Sequence, residues 1–127
     1  MRGVDFGDWY LAIIPIFVGT GILGFWISAV VTHRVPEIES GGIEIRFHIA
    51  AEVATGLVLI AGGLAVLIDG DAPSTVVLSS LGLGMLSYTL IVSPGYYVER
   101  HNKPLLRIFA AIWVLTIPVI VLRFLRL

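Results

Sequence analysis

Four long apolar runs constrain the fold of this chain more than any other feature. They span roughly residues 9–31, 46–68, 75–93 and 105–125. Each run is close to the roughly 20 residues that a helix needs to cross a hydrocarbon core of about 30 Å. Only 13% of the 127 residues are charged, about half the share of a soluble domain. We therefore predict four transmembrane helices in a single transmembrane domain over residues 1–127.

Short connections follow each predicted helix, at residues 32–44, 69–74 and 93–104. Pro36 and the Gly41–Gly42 pair should break the helix in the first loop, and Pro94–Gly95 should end the third helix. Pro104 could open the fourth helix. Because short links force neighbouring helices to run antiparallel, the predicted fold is an all-α, integral membrane, antiparallel four-helix bundle.

The basic residues suggest an orientation in the cell membrane. Five of them border the first and third loops (Arg34, Arg46, Arg100, Lys103 and Arg107), and three lie on the other side (Arg2, Arg123 and Arg126). The excess predicts that the first and third loops are cytoplasmic and that both termini are outside. Arg107 and Arg123 lie near the ends of the fourth run. We interpret both as anchors that extend to the lipid headgroups rather than as buried charges.

Several classes of function are disfavoured by what the chain lacks. It has no cysteine, so it has no disulfide, thiolate metal site or thiol nucleophile. The net charge is −1, and no basic patch indicates a nucleic-acid partner. Neither a metalloprotease helix motif nor a phosphate-binding glycine loop occurs. No catalytic residue is predicted, and an enzyme is the least expected class.

Glu52 is the acidic residue that lies well inside an apolar run. His48 precedes it by one helical turn and Thr55 follows it on the same face. An ionised carboxylate at this depth is unfavourable by several kcal/mol unless it is paired, hydrated or protonated. We predict a ligand- or proton-binding site formed by His48, Glu52, Thr55 and Tyr88. The structural alternative is a hydrogen bond that ties the second helix to Tyr88, Thr89 or Arg46.

The antiparallel topology places all three histidines at one side of the membrane. His33 ends the first helix, His48 begins the second, and His101 lies in the third loop. Together with Glu52 they could hold a divalent metal or a haem. Solvated loop positions are the alternative interpretation for His33 and His101.

Small residues at a spacing of four mark surfaces where helices can approach closely. The first helix has such a stripe at Thr20, Gly24 and Ser28. Packing within the bundle is the simpler interpretation, and a seam between two copies in a homo-oligomer is the alternative.

Two segments, FHIAAEVATGLVLIAGG and LGLGMLSYTLIVSPGYY, resemble a pattern of small four-helix integral membrane proteins of bacteria and archaea. The matching positions that stand out are His48, Glu52, Pro94, Gly95 and Tyr96. The resemblance covers about a third of the chain. It implies a compact membrane bundle and brings no activity, substrate or cofactor with it.

Three functions fit these observations. The first is a membrane bundle whose polar cavity at His48 and Glu52 binds a small ligand, metal or cofactor. The second is a proton- or cation-coupled transporter or channel in which Glu52 titrates. The third is an accessory or structural subunit in which the histidine–glutamate pair only holds helices together. The lipid bilayer is the expected partner in all three.

Overall fold

The computed structural model describes residues 3–99 and 101–127, which form helices joined by short turns. The helices are α1 (Phe6–Val31), α2 (Pro36–Glu39), α3 (Ile43–Asp69), α4 (Pro73–Glu99) and α5 (Lys103–Leu125). Arg2 and Arg100, which entered the charge comparison, lie outside the described residues, as does the side chain of Tyr96. The four long helices confirm the predicted all-α chain, and each extends beyond one or both ends of its apolar run.

The four long helices pack in a closed ring, with α1 on α3, α3 on α4, α4 on α5 and α5 back on α1. Side-chain contacts show that neighbours run antiparallel. Trp26, near the end of α1, meets Glu52 in the first half of α3. Asp8, at the start of α1, meets Arg126 just beyond α5. Both ends of the bundle therefore collect residues from several helices.

Two glycines allow α1 and α3 to approach at the middle of the bundle. A Cβ atom added to Gly19 would lie 2.6 Å from the backbone oxygen of Gly56, and one added to Gly56 would lie 3.0 Å from the oxygen of Gly19. A larger residue at either position would force the backbones apart. The contact sets the register in which Trp26 reaches Glu52.

The core runs along the axis of the bundle and takes residues from every long helix. Its fully buried members include Leu11, Leu59, Val66, Leu86 and Val119. A smaller cluster of Trp26, Ala29, Val35 and Ile45 closes the end of the bundle near α2. All four long helices are long and apolar enough to cross a membrane by length and composition.

The prediction that Pro94–Gly95 ends the third apolar helix is wrong, because α4 continues to Glu99. Proline at position 94 cannot donate to the carbonyl of Leu90, four residues earlier. The indole Nε1–H of Trp113 in α5 donates to that carbonyl at 3.2 Å instead. A side chain from the neighbouring helix thus satisfies the acceptor that proline leaves open.

The helix is broken in the first loop as predicted, because α1 ends at Val31 and α3 begins at Ile43. Pro36 lies in the first turn of the four-residue helix α2 between them, where the missing N–H would have no intrahelical partner. Pro104 does lie in the first turn of α5, whose N-cap Asn102 accepts from Leu105. At the start of α1, Asp5 and Asp8 form a capping box that extends this helix back to Phe6.

Arg123 is not the lipid-facing anchor that its position suggested, because it is only 5% exposed. Burial and the neighbouring charge of Arg126 disfavour a charged guanidinium at this position, and the attraction of Asp8 and Asp71 offsets part of that cost. Arg107, by contrast, is exposed at the other end of α5.

The stripe of Thr20, Gly24 and Ser28 is exposed along α1. A Cβ atom added to Gly24 would meet no atom within 4 Å. Among the described residues, Gly24 therefore lies outside the helix–helix contacts, and α1 meets α3 through its other face at Gly19. Ser28 accepts a hydrogen bond from the Arg34 side chain at 3.0 Å. A seam between two copies stays a prediction.

Candidate functional site

Glu52 lies inside the bundle, about 14 Å along α3 from its first residue. Its exposed fraction is 7%, so the carboxylate is largely removed from the outer surface of the bundle. Burial of this kind is tolerated when hydrogen bonds or opposite charges replace the lost hydration. The surroundings of the two carboxylate oxygens therefore decide how the charge is held.

Donors from three helices converge on these oxygens. Trp26 of α1 donates its indole Nε1–H to Oε2. Ser93 of α4 donates its hydroxyl to Oε1 at 2.5 Å. His48 of α3 places Nε2 at 3.4 Å from Oε1, and the Trp26 and His48 rings meet edge to face with centroids 5.9 Å apart. We call these four residues the Glu52 centre.

Local sequence accounts for this convergence. His48 and Glu52 are four residues apart and share one helix face. A buried tryptophan needs an acceptor for its N–H, and the antiparallel register places Trp26 at the depth of Glu52. Ser93, only 1% exposed, lies at the same depth on α4.

A groove of about 690 Å³ runs between α3 and α4 beside the carboxylate. Of the sequence-predicted site residues, His48, Glu52, Thr55 and Tyr88 all line it. The Thr55 hydroxyl donates to the backbone oxygen of Ala51 within its own helix. Tyr88 is 68% exposed and borders the open side of the groove. The groove thus brings the four residues to one surface without joining Thr55 or Tyr88 to Glu52 directly.

Two further cavities adjoin the Glu52 centre. One, of about 310 Å³, lies among α1, α4 and α5 and reaches Glu52 from the other side. Another, of about 520 Å³, opens at the end of the bundle and includes His48 in its lining. We call the first the aromatic cavity and the second the acidic vestibule, because Glu37, Glu44 and Glu99 line the latter. His48 therefore lies between the vestibule and Glu52.

The predicted metal set of His33, His48, Glu52 and His101 is not brought together. Within residues 3–99 and 101–127, no three His, Cys, Asp or Glu side chains lie close enough to hold a metal ion. His33 and His101 are exposed and have left-handed backbones, with φ of 55° and 53°.

These two histidines instead occupy equivalent positions at the ends of α1 and α4. The N–H of Arg34 bonds to the oxygen of Ala29, and that of Asn102 bonds to the oxygen of Tyr97. Each bond spans five residues and closes a helix around a left-handed residue, as in a Schellman motif. Both histidines thus lie at the ends of helices, in a structural role that the chemistry of an imidazole does not indicate.

Trp26 and Ser93 were missed by reasoning from the sequence. Both partners lie on other helices, and their contact with Glu52 depends on the depth at which the helices meet. The available signal was the need of an interior indole for an acceptor. The partners that the sequence analysis offered for Glu52 were Tyr88, Thr89 and Arg46 instead.

The chain belongs to the family described as Domain of unknown function (DUF8058), whose model matches residues 8–126. No curated protein and no solved structure matches it.

Proposed function

We propose that this member of the DUF8058 family is an integral membrane protein that binds a small ligand beside Glu52. One observation carries the proposal: Glu52 is nine-tenths buried, yet it lines both the groove and the aromatic cavity. A carboxylate that served only to tie helices together would need no open space on either side. Ionisable groups inside membrane helices are costly to bury and are therefore often functional.

The proposed setting is the cell membrane, with the first and third loops in the cytoplasm and both termini outside. It is supported by four helices of sufficient length and apolarity and by the excess of basic residues at those loops. The Glu52 centre and the acidic vestibule then lie on the cytoplasmic side. Ligand would enter from that side or laterally from the lipid.

The groove between α3 and α4 suits an amphipathic molecule. Leu81, Met85 and Val92 offer apolar contacts along its length, and Glu52 with His48 offers a polar end. A volume of about 690 Å³ falls within the roughly 300–1,000 Å³ of small-molecule sites. A ligand with an apolar body and a donor at one end would match this lining.

Native mass spectrometry of the purified chain, released gently from detergent, tests the proposal. Wild type and Asp69→Asn should retain a co-purifying small molecule, and Glu52→Gln should lose it. Asp69 is the matched control, because it is a carboxylate at the far end of the same helix and does not line the groove, the aromatic cavity or the acidic vestibule. If all three proteins are ligand-free and Glu52→Gln only unfolds more readily, an accessory or structural subunit becomes the better description.

A second candidate, proton-coupled transport, is favoured by the acidic vestibule. His48 lines both the vestibule and the groove, and its Nε2 lies 3.4 Å from Glu52. Carboxylates at the vestibule would concentrate protons, and an imidazole can pass them inward. In proteoliposomes with an internal pH-sensitive dye, wild type should dissipate an imposed pH gradient. Flux unchanged in Glu52→Gln would contradict this candidate.

A further inference from the structure

The aromatic cavity has a lining that is distinct from that of the groove. Five aromatic residues border it: Phe17, Phe25, Trp26, Tyr97 and Phe109. They come from α1, α4 and α5, so the cavity lies where α5 completes the ring of helices. Its volume is about 310 Å³, near the lower end for small-molecule sites.

Some of these rings are held in place by one another. The centroids of Tyr97 and Phe109 are 5.6 Å apart, and those of Phe25 and Trp26 are 5.1 Å apart at 81°. Trp26 and Tyr97 are only 4% and 7% exposed. A ligand in the cavity would therefore meet aromatic surfaces that are already ordered, which reduces the entropy lost on binding.

The charge of the lining has one sign. Among the described residues that border the cavity, Glu52 is the one carboxylate, and none is a lysine, arginine or histidine. His48 lies against the groove and the vestibule instead. A cation in the cavity would approach Glu52 without meeting a basic side chain.

The oxygens of Glu52 already receive the indole N–H of Trp26 and the hydroxyl of Ser93. A further ligand thus gains more from the field of the carboxylate than from a new hydrogen bond. Quaternary ammonium groups have no N–H to donate and bind to aromatic faces through the ring quadrupole. Both properties match this lining.

We propose that the aromatic cavity binds a compact hydrophobic organic cation of the quaternary ammonium class, with Glu52 as its counter-ion. The inference rests on the proposed role of Glu52 in ligand binding and names the class of ligand. The cationic group lies near Glu52 and Trp26, and the apolar body lies towards Phe109 and Ile112.

Isothermal titration calorimetry with the full chain in a non-ionic detergent provides the test. The probe is benzyltrimethylammonium, and N,N-dimethylbenzamide is an uncharged compound of similar size. Wild type should bind the cation at least tenfold more tightly than the amide. Glu52→Gln should weaken binding of the cation at least tenfold, and Asp69→Asn should leave it within twofold.

A second variant keeps Glu52 and closes the cavity. Gly21 borders the cavity, and a Cβ atom added there would meet no atom within 4 Å. Gly21→Leu should therefore fold normally while its side chain occupies part of the cavity. We expect it to weaken binding of benzyltrimethylammonium at least fivefold.

Equal affinity of wild type for the cation and the amide would overturn the inference while leaving a ligand site beside Glu52. So would unchanged binding of the cation by both Glu52→Gln and Gly21→Leu. No binding of benzyltrimethylammonium at millimolar concentration overturns it as well. The proposed function fails separately, if wild type retains no co-purifying ligand in the mass spectrometry experiment.

Discussion

Buried charges occur at both ends of the bundle, and the two ends stabilise them differently. At the Glu52 centre, hydrogen-bond donors from α1, α3 and α4 surround one carboxylate. At the opposite end, Arg126 pairs with Asp8 at 2.8 Å and with Asp5 at 3.2 Å. Arg123 is buried beside them, and its Nε and Nη1 have no hydrogen-bond partner within the described part of the chain. We call Asp5, Asp8, Arg123 and Arg126 the Arg123 centre.

The difference indicates separate roles. The Arg123 centre joins α1 to α5 through opposite charges and closes the ring of helices near the chain termini. The Glu52 centre joins three helices through mainly neutral donors and borders open cavities. Substitutions at the first should therefore affect stability alone, whereas substitutions at the second should affect both stability and ligand binding.

The largest loss of stability is expected for Asp8→Asn. This change removes a buried negative charge beside two arginines and leaves Asp71 as the remaining carboxylate that acts on Arg123 among the described residues. Breaking a buried ion pair from one side typically costs about 3–5 kcal/mol, and we expect the lower end of this range because the Arg126 side chain is partly exposed. Thermal unfolding in detergent, followed by helical circular dichroism, measures the effect against Glu44→Gln, which changes an exposed carboxylate. Equal stability of the two variants would show that the Arg123 centre does not hold α1 to α5.

Glu52→Gln should cost less, about 1–3 kcal/mol, because the amide keeps one acceptor for the donors of Trp26 and Ser93. The amide NH₂ group then faces one of these two donors, which loses its acceptor. The same unfolding assay checks the value. A variant as stable as wild type would mean that the carboxylate is not shared by the three helices.

Much of the fold could be predicted from the sequence, because apolar runs of membrane length leave few alternatives to helices. The extension of α4 beyond Pro94 could not, since it depends on the indole of Trp113, which lies on another helix. At the site, the pairing of His48 and Glu52 follows from their spacing of four residues. Trp26 and Ser93 join them only through the register of three helices, and local sequence patterns do not determine that register.

Two glycine substitutions test which face of α1 packs inside the bundle, between the Arg123 centre and the Glu52 centre. Gly19→Ala would place a methyl group 2.6 Å from the oxygen of Gly56 and should cost about 1–3 kcal/mol. Gly24→Ala, on the exposed stripe, should cause no loss of monomer stability and could raise it by up to about 1 kcal/mol, because alanine favours a helix more than glycine does. Analytical ultracentrifugation measures self-association, which Gly24→Ala should weaken if the stripe forms the predicted seam between copies. A similar loss for both variants would contradict the assigned face.

The smallest effect is expected for His101→Gly. A left-handed backbone disfavours residues with a Cβ atom by roughly 1–2 kcal/mol, and glycine avoids this strain. The greater freedom of glycine in the unfolded chain offsets part of the gain in stability. The net result should range from no change to a gain of about 1 kcal/mol. A clear loss of stability would instead give the imidazole a role beyond ending α4.

The indole signals of the three tryptophans in a ¹H–¹⁵N spectrum test the central claim most directly. Trp26→Phe assigns the relevant signal, and Trp113, bonded to the oxygen of Leu90, serves as an internal reference. The Trp26 proton should resonate downfield, exchange slowly in D₂O, and move upfield in Glu52→Gln while the Trp113 signal stays. A Trp26 signal that ignores Glu52→Gln and exchanges as fast as that of the half-exposed Trp9 would contradict an inward-facing, shared carboxylate.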